Sequence, residues 1–182
     1  MGHIEALVRA YERFVSLPWE QNLAGQQKVW FVLYTPTEER RLRARIGEFE
    51  LATKRAKHDW AHVDLTDAFA RWIASEEYRE SYFESPDDLE LFLPEFGKKI
   101  AELIRTSLAA SAGKETVVAV SGIASLFGLA RVSELVQAVA PEIRGRLLVF
   151  FPGERDGNNY RLLDAREGWN YLAVPITASK DE

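Results

Sequence analysis

Unbroken apolar runs alternate with helix-patterned segments along this chain, and that alternation limits the fold more than any other feature. Residues 29–35 (VWFVLYT), 117–121 (VVAVS) and 146–151 (RLLVFF) are short, β-branched or aromatic, and free of internal charge after Arg146. Runs of this kind suit strands covered on both faces, as in a parallel sheet. Residues 58–65 read as a further strand, 160–163 as a short one and 171–176 as the last. Between them lie segments with apolar residues at helical spacing. Ile4, Leu7, Val8, Tyr11, Phe14 and Val15 mark a first helix over about 3–16. Thr35 and Pro36, followed by Glu38 and Glu39, open a second over 36–55, with Leu42, Ile46 and Phe49 facing inward. Others are expected over 66–74, 94–111 and 125–139. Strand–helix alternation implies right-handed crossovers. The expected fold is therefore a three-layer α/β/α sandwich with a mostly parallel sheet of about five strands. It forms one domain over 1–182, with a helical insertion at about 76–112 and a frayed tail at 178–182.

Composition narrows the function classes. The chain has 182 residues and a net charge of 23 − 28 = −5, so direct nucleic-acid binding is disfavoured overall. Arg40, Arg41, Arg43 and Arg45, with Lys54, Arg55 and Lys57, form the one stretch able to make a basic stripe. Zero cysteines exclude disulfides, thiolate metal sites and a thiol nucleophile. No apolar run approaches the ~20 residues of a membrane span, and residues 1–5 lack a signal-peptide pattern. A cytoplasmic protein is expected.

The catalytic motifs fit poorly. Neither G-x-x-x-x-G-K-[ST] nor G-x-G-x-x-G occurs. Gly122 and Ser125 follow a strand and open a helix, where free N–H groups are able to hold an anion, but a tight turn needing one glycine explains the same residues. Ser121 stands where a nucleophile elbow would lie, yet Ala119 breaks the G-x-S-x-G pattern, so pairing with His62 is not expected. His58 and His62 would share a helix face but sit on a strand, where the spacing is poor for metal even with Asp59 or Asp64 as third ligand. No catalytic, cofactor-binding or metal residue is assigned. Residues 152–159 (PGERDGNN) read as a concentrated turn at the carboxyl end of a strand, the edge where open α/β sheets bind ligands. There Glu154 and Asp156 suit a cation or a partner's arginine, or simply a connection in which Asp156 and Gly157 turn the chain. The tract around Leu91 to Phe96 would be a protein-contact surface if part of it stayed in water.

Three stretches resemble the BrxB family of bacterial BREX (bacteriophage exclusion) defence systems. One is the aromatic strand closing in Tyr34-Thr35-Pro36. Another is 118–131, a strand, a Gly/Ser turn and a helix holding Arg131. The most specific is 148–163, with Phe151-Pro152-Gly153-Glu154, Asp156-Gly157 and Arg161-Leu162. Ala124 and Gly128 depart from it, standing where a glycine and a proline are expected. The resemblance covers about 14–176. It implies a non-catalytic subunit of a defence complex, encoded beside a methyltransferase, a large ATPase and PglZ, an alkaline-phosphatase-like protein. It implies PglZ as the contact and no cofactor. The candidate contact residues are Gly122, Ser125, Arg131, Glu154, Asp156 and Arg161. The alternative is a nucleotide- or metal-dependent enzyme or sensor, with Ser125 and the 122–125 amides on a phosphate and Asp156 on a cation.

Overall fold

The apolar runs pack side by side as parallel strands. A computed structural model describes residues 2–111, 113, 115–163, 165–170 and 172–178, with the backbone alone at 165–170. Strands β1 (Val29–Tyr34), β2 (Asp59–Asp64), β3 (Thr116–Ser121), β4 (Arg146–Asp156) and β7 (Val174–Ile176) lie in the order β2-β3-β4-β1-β7, every neighbour parallel. β1 and β3 are buried along their full length, as runs with no polar face must be.

Helices cover both faces. Helices α1 (His3–Val15) and α2 (Glu39–Arg55) close one core, built on Leu7, Tyr11, Phe49, Trp30, Leu148 and Phe150. Helices α3 (Ala68–Ser75), α4 (Arg79–Glu84), α5 (Pro86–Leu89), α6 (Leu93–Ala110) and α7 (Val132–Val139) lie towards the other, larger core, which holds Phe31, Phe96, Ile100, Val136, Phe151 and Tyr160. The α/β class and the mostly parallel sheet agree with the sequence. Among the described residues no helix is long and apolar enough to cross a membrane.

Three points add to or correct the sequence reading. First, beyond the expected sheet of about five parallel strands, an antiparallel pair joins β4. The additional pair, β5 (Asn159–Leu162) and β6 (Ala165–Asn170), is antiparallel to β4 and to each other. Second, 152–159 is not a loop. β4 runs on through Pro152 to Asp156, and the turn shrinks to the residues around Gly157, whose φ is +61°. The continuation succeeds because Tyr160 and Leu162 of β5 are buried beneath it, giving the polar arm an apolar underside. Gly153 permits it, since a Cβ there would strike the Arg161 carbonyl oxygen. Third, the helix expected over 125–139 starts only at Val132. A single 3-10 turn (Ile123–Leu126) precedes it, and Gly128 at φ +74° breaks the run, leaving Phe127 facing water. Of the tail, Ala178 packs against the α1/α2 core and 179–182 fall outside the described residues. The strand expected over 171–176 is shortened to β7, with Tyr171 also outside them.

Candidate partner-binding surface

Helix α6 starts with Pro94 in its first turn, where a missing N–H costs nothing. Its buried face is Phe96, Ile100, Ala101, Ile104 and Leu108. Arg105 bolts it to α7, donating from Nε to Glu142 at 2.8 Å and from Nη2 to the Ala138 carbonyl at 3.0 Å. Between α6 and α7 runs a groove of about 1020 Å³. Leu93, Pro94, Ala101, Phe127, Leu129 and Leu135 give it apolar walls, and Glu90, Lys98, Arg131 and Glu134 supply charge. The 91–96 tract divides as its position dictates. Phe96 is fully buried, while Leu91 is 80% and Phe92 40% exposed, next to the groove residues Glu90 and Leu93. Phe127, on the opposite wall, is 45% exposed. Arg131 caps α7, is exposed, and lines the same groove.

The other candidate residues fall in two further places. Glu154 and Arg161 are opposite one another on β4 and β5, with Arg161 Nη1 3.7 Å from the Glu154 carboxylate. The sequence reading gave both to a partner; here they face each other, because the unforeseen hairpin puts them in register. Asp156 is exposed at the hairpin's end, opposite Asn159. Gly122 and Ser125 form the turn after β3. Gly122 has φ +78°, and a Cβ on it would stand 2.5 Å from the Thr66 amide nitrogen. The Ser125 hydroxyl lies 2.9 Å from the Leu65 carbonyl and 2.6 Å from that of Gly122, so it locks the turn.

One contact that the sequence argued against is present. His62 Nε2 and Ser121 Oγ are 2.8 Å apart. β2 and β3 are neighbours in register, with Asp64 opposite Ser121. Strand adjacency of that kind leaves no mark in the sequence. Partial desolvation of the ring pushes the His62 pKa down, against the opposing pull of the Asp64 and Glu50 carboxylates. Burial alone would raise Asp64. The Thr66 hydroxyl at 2.6 Å, the Thr66 amide at 2.9 Å and the nearby Arg43 charge together hold it below the ordinary value. Ser121 is only 3% exposed, so the imidazole covers the hydroxyl and the bond ties the outer strand to its neighbour. His58 has other company: it stacks on Trp19 at 3.7 Å between centroids, with Nδ1 2.8 Å from the Glu115 carboxylate. Arg41, Arg43, Arg45 and Arg55 of α2 also find carboxylates. Arg45 meets Glu5 at 2.8 Å and Arg55 meets Glu12 at 3.5 Å along a smaller groove of about 380 Å³ between α1 and α2.

Neither a family model, nor a curated protein, nor a solved structure is found to match this chain. The physical character of the surface is therefore the guide. A groove of mixed apolar and charged lining, flanked by exposed aromatic rings and with an arginine on its wall, holds residue types enriched at protein-contact hot spots.

Proposed function

We propose that this chain is a non-catalytic, protein-binding subunit of a BREX-type anti-phage complex in the cytoplasm, and that PglZ is its partner. The observation that carries the binding role is the α6/α7 groove with Leu91, Phe92 and Phe127 left in water. The resemblance of 148–163 to the BrxB family supplies the choice of complex. In this reading the partner buries the three apolar side chains, and Arg131 donates charge-assisted hydrogen bonds at the rim. Asp156 adds a carboxylate from the hairpin.

The test is co-expression with PglZ and recovery of the pair. Leu91→Ser with Phe127→Ser should abolish recovery while the melting temperature stays put. Arg131→Ala and Asp156→Ala should weaken it. Undiminished recovery by the folded double variant would remove the groove from the interface.

The enzyme or sensor alternative draws on the His62–Ser121 contact at the carboxyl edge. A nucleotide and Mg²⁺ panel separates the readings. A ligand at a hundred times its Kd stabilises by ~2.7 kcal/mol, and any such shift in melting would favour that alternative.

A further inference from the structure

The two outer strands of the sheet are protected unequally. β7 has three residues, one of them Pro175, which has no N–H to offer. Short, proline-bearing edges resist pairing. β2 is twice as long, contains no proline, and among the described residues pairs only with β3.

Hydrogen bonding fixes which of its residues face outward. The Asp59 amide donates to Glu115 and the Leu65 amide to Ser121, both toward β3. In a parallel ladder alternate residues direct both backbone groups to the same side. Odd positions from 59 to 65 therefore serve β3, and Trp60, His62 and Asp64 present their N–H and C=O groups to the free edge. His62 and Asp64 are exposed, and Trp60 is half-buried.

We propose that this edge pairs antiparallel with β2 of a second copy of the chain, on a two-fold axis passing through His62. Outward residues must meet outward residues, and only this register engages all three on both copies. It sets Trp60 opposite Asp64, His62 opposite His62 and Ala61 opposite Val63. No carboxylate meets another directly: Asp64 faces an indole, and Asp59 faces Leu65. Like charges directly opposite would oppose pairing, and this register has none while His62 is neutral. The edge is thus complementary to itself in backbone and side chain.

The absence of cysteine makes the test clean. Opposed residues of a hydrogen-bonded antiparallel pair stand ~5.5 Å apart at Cα, within the 4.4–6.8 Å span of disulfides. Sedimentation of the full chain should show a dimer. His62→Cys should cross-link into a covalent dimer under mild oxidation. Asp59→Cys should not, because the two copies of residue 59 would lie ~20 Å apart at ~3.4 Å per residue. His62→Lys, which brings two ammonium groups together, should give a folded monomer by sedimentation and circular dichroism, and His62→Gln should remain dimeric. A monomer at every accessible concentration would overturn the pairing, as would cross-linking at 59 and not at 62.

Discussion

The two helical layers treat their seams differently. Between α1 and α2 the seam is small and sealed by its own charges, Glu5 with Arg45 and Glu12 with Arg55. Beneath it, Tyr11 and Thr53 share a buried hydrogen bond of 2.6 Å, and Phe49 is held between Tyr11 and Phe150. Between α6 and α7 the seam is wider, and aromatic carbon stands in water at Phe92 and Phe127. Apolar surface left exposed forgoes ~25 cal/mol per Å², a gain recovered only when another surface covers it. One layer closes on itself; the other leaves apolar side chains in water.

Substitutions can press on that contrast. The largest loss is expected at Phe49→Ala, where a fully buried ring leaves a cavity; a chemical melt should show ~3–5 kcal/mol of destabilisation. Thr53→Val should follow. It strands the Tyr11 hydroxyl in the core and should cost ~1–3 kcal/mol, whereas Tyr11→Phe with Thr53→Val should recover part of that. A smaller effect is expected from pH. His62, though on the open edge, is held below its ordinary value of 6.5 chiefly by partial desolvation of its ring. In the window below that value the unfolded chain binds more protons than the folded one, so stability rises with pH and declines as pH falls. Urea melts across that window should display the slope, and His62→Gln should flatten it. The least change in stability is expected at Leu91→Ser and Phe127→Ser, within ~0.5 kcal/mol. Destabilisation of those two as large as at Phe49 would erase the distinction between the layers.

Much of the fold was legible because the interior strands are apolar on both faces. Residues 29–34 and 117–121 have no polar residue that needs water, so burial was forced and α/β layering followed. Helix α2 was equally plain from Leu42 and Phe49. The failures share a cause. Residues 152–159 carry turn chemistry, and their pairing depends on Tyr160 and Leu162 arriving from further along the chain. Gly128 ends a helical pattern by its own φ, which apolar spacing does not reveal. Within the candidate surface, the sequence left open whether 91–96 is exposed or buried, and the structure divides it; Arg131, read as a candidate contact, is exposed on the groove. Phe127 was missed, since an aromatic residue beside a glycine reads as core until the helix around it is broken. His62 and Ser121 were set aside for want of a motif, and only the order of the strands brings them together.

β4 joins the parallel and antiparallel parts of the sheet with one backbone. Its first half is bracketed by β1 and β3 at the centre of the molecule, and its last residues form one side of the projecting hairpin. The strand is continuous through Pro152 and Gly153. A load at Asp156 therefore falls on the same backbone that runs between β1 and β3.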